Sequence, residues 1–525
     1  MRRSVVAASI AAIVAVPGTA RSQPATGRDL ALAEAVRLTL ASDAELYIGR
    51  EEARAAGDEV TRAESLFTPR LFGELFWTRD DRPPSATSFA GEQRVLGGEV
   101  GVSGVMGTGL TYTVTAGLAQ QRMYDAPFST VYTPATTTTV RAEVVQPLLR
   151  GAFSAARRPI TVASLRRGQS EQELRARIER AIAEVETAYW NLVSARSERE
   201  ARGAALALAS EQVTESKRIT KLGTGSDLDV VEAETAVSRR TLELARSERA
   251  VIEAEGKLLE SMGVRAEEAS MGSAGSIVPT DAATIESTLP PLEEQLQIAR
   301  SKRPDVHAAH DLVTAESAQL DVTDDKRRLG LDLVVGAGTA GFGGKIASTY
   351  ATAAVNGGLL DPPYTPDPAY NGGLGTSAKN LGRDFNVYVG LRVEVGNDQA
   401  KVDHAIQQRT VSRARLAERE ALSRVETEVR TASARVALEL EIVARSDQVV
   451  VLATKLVEGM RKRFRVGAAT SFDVLRVSDE LTRARIDAAR ARADYRIGMT
   501  RLAAATGTLL DRFGIAVGSL GVNPR

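Results

Sequence analysis

Arg465-Val466-Gly467-Ala468-Ala469-Thr470-Ser471-Phe472-Asp473-Val474 lies 244 positions beyond Lys221-Leu222-Gly223-Thr224-Gly225-Ser226-Asp227-Leu228-Asp229-Val230. The two stretches align without a gap. The same offset pairs Glu184-Val185 with Glu428-Val429 and Gly263 with Gly507. A register held this long marks duplication of one structural unit. Each stretch reads as the turn of a helical hairpin. Gly223 and Gly467 supply a left-handed C-cap, and Ser226 or Ser471 caps the returning helix.

Working outward, the sequence around each turn is free of proline. None occurs between Pro159 and Pro279, or between Pro368 and Pro524. A proline inside a helix costs about 3 kcal/mol, so these intervals are the places for long helices. The entering helices are expected over 156–222 and 399–466, each on the order of 100 Å long at about 1.5 Å per residue. The returning helices carry seams of 3-4 spacing. The second runs Val474, Val477, Leu481, Ala484, Ala488, Ala491, Tyr495. The first runs Val230, Ala233, Val237, Arg240, Leu244, Ser247, Val251, Ala254, Leu258, with Arg240 and Ser247 as interruptions. Such seams suit a supercoiled tube and a soluble bundle equally.

Upstream of each hairpin the period changes to two. Val387, Val389, Leu391, Val393 and Val395 alternate with Asn386, Tyr388, Gly390, Arg392 and Glu394. Leu110, Tyr112, Val114, Ala116 and Leu118 alternate with Thr111, Thr113, Thr115, Gly117 and Ala119, and Val140, Ala142 and Val144 with Arg141 and Glu143. Further strands are expected from Leu71 and Leu331. One apolar and one polar face per strand fits a membrane barrel with a wet lumen, and also fits a soluble antiparallel sheet. Phe76, Trp77, Tyr112 and Tyr388 are candidates for aromatic girdles. Tyr124–Thr139 and Phe342–Arg383, rich in Gly, Pro and Thr, are expected as surface loops. Met106-Gly107-Thr108-Gly109 implies an extra hairpin in the first repeat. A helix is expected before each strand region, at Leu32-Ala33-Glu34-Ala35-Val36 and Leu292-Glu293-Glu294-Gln295-Leu296.

The N-terminus reads as a secretory signal over 1–20: Arg2 and Arg3, an apolar run from Val5 to Val16, then Gly18-Thr19-Ala20 before a mature start near Arg21. The charge balance, 67 basic against 67 acidic residues, gives no argument for nucleic acid. Aromatics are only 4%, which favours exposed or coiled helices over a thick globular core. With no cysteine, stability rests on packing. No later segment is long and apolar enough for a spanning helix, so a membrane-spanning form of this chain is a barrel.

Catalytic patterns are missing from the sequence: no nucleophile elbow, phosphate loop or zincin motif occurs, and an enzyme is not expected. His307 and His310 have metal-compatible spacing beside Asp305 and Asp311 but no third strong ligand, so no metal is expected. No cofactor is implied.

The order of helix, strands and long hairpin, repeated over 21–279 and 280–525, resembles the TolC-type outer-membrane efflux and secretion family. Gln146-Pro147-Leu148-Leu149-Arg150-Gly151 is similar to that family's strand-to-helix junction. Pro69-Arg70-Leu71 is similar to its helix-to-strand passage, Gly223 to Val230 to its outer hairpin, and Val466 to Leu475 to its inner one. The second repeat departs at Leu329, where the first has Pro69, and at Glu394-Val395-Gly396-Asn397, which lacks the common proline.

The resemblance implies an α+β membrane protein in which three copies share one β-barrel continued by an α-helical coiled-coil tunnel. It implies an exit channel in the outer membrane of a Gram-negative bacterium, extending into the periplasm. Its partners are then two further copies, outer-membrane lipid, a periplasmic adaptor, and an inner-membrane pump or secretion ATPase. Gly223 and Gly467 become adaptor-docking tips. Asp473, Arg476 and Asp229 become candidates for a periplasmic gate, although Asp229 and Asp473 also suit the first turn of any helix, whose dipole favours a carboxylate. Arg476 stands where the family carries a second Asp. The competing reading is a periplasmic coiled-coil scaffold without a membrane-spanning part.

Overall fold

The computed structural model describes residues 28–81, 92–124, 132–221, 226–264, 277–286, 289–346, 384–392, 398–466 and 468–515. The 1–20 segment, Gly223, Gly467 and Glu394 to Asn397 lie outside them, as do residues 347–383 of the second expected loop.

The chain opens with β1 (Arg28–Leu30), α1 (Leu32–Ser42) and α2 (Ala44–Glu64). Four strands follow: β2 (Arg70–Asp80), β3 (Gln93–Val105), β4 (Thr111–Met123) and β5 (Tyr132–Pro147). The first hairpin is α3 (Ser154–Lys221) with α4 (Asp227–Ser261). The second repeat gives β6 (Ile277–Pro279), α5 (Leu292–Lys302), α6 (Pro304–Lys326), β7 (Gly330–Ile346) and β8 (Asp384–Arg392). It ends with α7 (Asp398–Arg465), α8 (Ser471–Thr506) and the short α9 (Leu509–Arg512).

The 244-residue offset carries Ser154–Lys221 onto Asp398–Arg465, both helices of 68 residues. Proline is confined to Pro159, the sixth residue of α3, where it removes one helical hydrogen bond near the start of the helix and leaves the rest of its length intact. Gly263 and Gly507, paired by the same offset, both end their helices at positive φ, 66° and 68°. Glycine is required twice over at 263, because a Cβ there would stand 2.9 Å from the Asp43 Cα.

Two compact units emerge, and each draws on both repeats. The first contains residues 178–299 and 428–515 with the N-terminal 46. Its core is helical. Tyr189, Trp190, Ile178, Ile182 and Leu192 of α3 are buried, as are Val436 and Val443 of α7 against Ala491, Tyr495 and Leu502 of α8. β1 and β6 pair in parallel beside it.

The second unit, residues 47–177 and 300–427, holds a six-stranded antiparallel sheet of order β2-β3-β4-β5-β7-β8. The extra hairpin expected at Met106–Gly109 is present as β3–β4. The loop expected over Tyr124–Thr139 is corrected: β5 begins at Tyr132. Thr136 to Thr139 are β-branched and suit a strand, but threonines on both faces hide the period-two signal. One helix was expected before each strand region. Each is in fact a pair, broken at Asp43 and at Arg303-Pro304, where proline takes the first helical position.

Candidate functional site

Cross-strand pairing sorts the sheet into two faces. Leu71, Leu75 and Trp77 of β2 stand opposite Val102, Gly98 and Leu96 of β3. The same side carries Val114, Ala116 and Leu118 of β4, then Val140 and Val144 of β5. It continues through Val335 and Ala337 of β7 to Val387 and Val389 of β8. Leu71, Leu75, Trp77, Leu96, Val100, Val114, Val140, Val387 and Val389 are all exposed on this one face. A water-facing sheet does not carry so continuous an apolar strip.

The opposite face is polar and glycine-rich: Glu74, Glu99, Thr113, Thr115, Thr139, Arg141 and Glu143, with Gly97, Gly101, Gly117 and Gly336. Phe72 and Phe76 lie here, across from Gly101 and Gly97. A Cβ at either glycine would fall 2.4 Å from the facing phenyl Cζ, so each ring occupies the space that the glycine leaves. Of the girdle candidates, Phe76 thus lies on the polar face, whereas Trp77 and Tyr112 stand on the apolar one. Tyr112 itself covers Gly104.

The Gln146–Gly151 junction is built around the β3–β4 turn. The Gln146 amide donates to Thr108 O at 3.2 Å and to Pro147 O at 2.7 Å. Phe153 N–H also donates to Thr108 O, at 2.8 Å. Gly151 adopts φ 77°, and its N–H donates to the buried Asp325 carboxylate at 2.7 Å. At Gly109 (φ 84°) a Cβ would meet Gly151 O at 2.5 Å. The turn and the junction thus exclude side chains from one another's backbone.

At the hairpin ends, the two acidic gate candidates, Asp229 and Asp473, complete capping boxes. Ser226 and Thr470, equivalent by the offset, are the N-caps of α4 and α8. Thr470 replaces the expected Ser471, which is fully buried one position on, its hydroxyl 3.2 Å from the Gln212 amide of α3. Asp229 accepts from Ser226 N–H at 3.2 Å. Asp473 accepts from Thr470 N–H at 3.1 Å and from its hydroxyl at 2.8 Å, both on Oδ2. These Thr470 bonds, with Arg476 and Arg463 further off, hold the Asp473 carboxyl below its ordinary pKa. Arg476 is exposed one turn later.

Buried charges at Arg240, Glu186 and Arg496 lay outside the expected sites. Arg240, read as a seam interruption, is 4% exposed. Its guanidinium donates to Ala205 O of α3 at 2.7 Å, and to Ser478 Oγ and the Asp479 carboxylate of α8 at 2.8 Å each. It ties the two hairpins together. Glu186 is fully buried, 3.3 Å from the Arg512 guanidinium and 4.0 Å from that of Arg496, which stacks over Trp190 at 5.1 Å. Burial, and after it the charge of Arg512, lowers the Arg496 pKa. For Arg240 the available signal was a charge on an otherwise apolar or small-residue seam. Of the histidines, His310 pairs with Glu418 at 2.9 Å and His307 meets Ser301 O at 2.9 Å.

No protein-family model matches this chain, and no curated protein matches it by sequence. Solved structures do. The Campylobacter jejuni CmeC outer membrane channel is 12% identical, with a TM-score of 0.63 over 91% of this chain and 86% of that one. The Vibrio cholerae outer membrane protein VceC is 14% identical, TM-score 0.61, over 91% and 96% of the two chains. The open state of the Neisseria gonorrhoeae MtrE outer membrane channel gives 14% and 0.61 over 91% and 89%. With duplicated hairpins, an antiparallel sheet and these likenesses in hand, the chain has the fold of the TolC-type outer-membrane channels.

Proposed function

We propose that this chain is the outer-membrane exit channel of a tripartite efflux pump or a type I secretion system. It conducts substrates passively, with no catalytic step and no cofactor. The observation that carries the reading is the apolar face that spans six strands and is exposed on β2, β3, β4, β5 and β8, in a sheet whose other face is polar. In lipid the backbone of such a sheet is satisfied only when the sheet closes on itself. Closure comes from three copies, which together form one barrel in the outer membrane and one helical tunnel in the periplasm.

The paired 68-residue helices and the Arg240 bonds between hairpins suit a tunnel wall. The turns at Gly223 and Gly467 meet a periplasmic adaptor that joins an inner-membrane pump or secretion ATPase. Asp473, with Arg476 and Asp229, is the proposed gate: threefold symmetry makes a ring of each carboxylate, and within each chain the Thr470 bonds favour the charged form of Asp473.

Cell fractionation tests the proposal. The protein is expected in the outer-membrane fraction and resistant to alkaline extraction. Release with the soluble periplasmic proteins after osmotic shock would support the scaffold reading instead.

A further inference from the structure

Resting on the trimer reading above, we infer that β2 of one copy pairs with β8 of the next, so that the barrel has 18 strands, six from each chain. The partner is a second copy of this chain, and the β2–β3 hairpin is a full part of the wall.

Strand direction is the first argument. All five pairings in the sheet are antiparallel and follow the order β2-β3-β4-β5-β7-β8. An even number of alternating strands leaves the edges β2 and β8 running in opposite directions. Joining copies edge to edge therefore continues the antiparallel ladder without a parallel seam.

The apolar face supplies the second. Leu71 and Leu75 are each 82% exposed on β2, and Val387 and Val389 are 55% and 62% exposed on β8, on the same side of the sheet. Side-chain direction alternates along a strand, so pairing of β2 with β8 in the right register keeps one apolar belt unbroken around the barrel.

The third is that β2–β3 cannot be peeled away cheaply. β3 pairs with β4 along all thirteen of its residues, and β2 with β3 along all eleven of its own, where Phe72 and Phe76 fill the space over Gly101 and Gly97. The turn joining β3 to β4 is locked into the Gln146–Gly151 junction through Thr108. A barrel closing at β4 would strip β3 of its partner there and leave the hairpin's edges unpaired in lipid. Barrels of 16–18 strands are wide enough to leave an aqueous channel, which suits the inferred wall.

The chain has no cysteine, which makes disulfide mapping direct. Cysteines are placed at Leu71, Leu75 or Trp77, each combined with Val387→Cys or Val389→Cys, and oxidised in outer membranes. A second series combines Val114→Cys with the same β8 positions; within one chain β4 and β8 are separated by β5 and β7. Native mass spectrometry in detergent reports the assembly independently. The expected result is a trimer, with dimer and trimer bands on non-reducing gels from at least one β2–β8 register and none from β4–β8. A trimer that cross-links β4 to β8, or gives no β2–β8 band at any register, overturns the 18-strand barrel while keeping the trimer. A monomer by mass overturns the trimer reading itself.

Discussion

Arg240→Ala removes a side chain that bonds α3, α4 and α8 together at a buried point. Its guanidinium makes close bonds to Ala205 O, Ser478 Oγ and Asp479, and a longer one of 3.4 Å to Leu475 O. Breaking a buried charged pair costs about 3–5 kcal/mol. The lower end applies, because Asp479 is 46% exposed and recovers water when its partner is lost. Ala205 O and Ser478 Oγ stay in a dry seam, so the expected loss is about 3 kcal/mol. Arg240→Met keeps most of the stem packing and removes the cost of burying a charge, giving a loss of about 1 kcal/mol. Native-state hydrogen exchange on the detergent-solubilised protein reads this locally. Peptides from α4 and α8 should exchange on the order of a hundredfold faster in the Ala variant, since 1.36 kcal/mol is about a decade. Unchanged exchange in Arg240→Ala would refute the clamp. Equal effects of Ala and Met would show that the lost bonds matter and the stem packing does not.

Other perturbations follow from the same geometry. Gly97→Ala should weaken heat resistance of the barrel, and Phe76→Ala should rescue it by emptying the space; Gly101→Ala should be only partly rescued by Phe72→Ala, because Val114 O also stands 2.9 Å from the added Cβ. Asp473→Ala should raise single-channel conductance and weaken block by multivalent cations from the periplasmic side, with a smaller effect for Asp229→Ala; equal, small losses of stability at both sites with conductance unchanged would leave capping as their role. The Asp473 carboxyl is depressed on folding, so the cap's contribution is complete above the unfolded value and is lost as pH falls through the lower folded one. Fraying of the α8 N-terminus, followed by hydrogen exchange, should therefore grow only in acid, below the ordinary carboxylate range. Gly467→Trp should abolish export without disturbing trimer assembly, and unaltered export would count against docking at that turn.

Much of this architecture was legible because it is periodic. Helix bounds repeat at the 244-residue offset, and proline placement marked both hairpins before any packing was considered. Strand polarity was equally readable in β4 and β8. Where polar residues fall on both faces, as from Thr136 to Thr139, the alternation vanished and β5 was cut short. The order of strands was not readable, because β5 pairs with β7 across nearly two hundred residues and no local pattern encodes that choice. The cap at Thr470 follows from strict use of the register with Ser226, yet the neighbouring Ser471 has the same chemistry. Arg240 was hidden for a different reason: a charge on a seam reads as a defect until its partners on other helices are known. Likewise, Gly97 and Gly101 matter only through the rings of a strand that pairs with them.

Planar-bilayer recording on the purified, detergent-extracted chain tests the central claim most directly. A channel closed by three copies should insert and conduct ions in uniform steps, with a conductance that changes in Asp473→Ala. Protein that stays in water without detergent and never conducts, at concentrations where control porins do, would contradict the account.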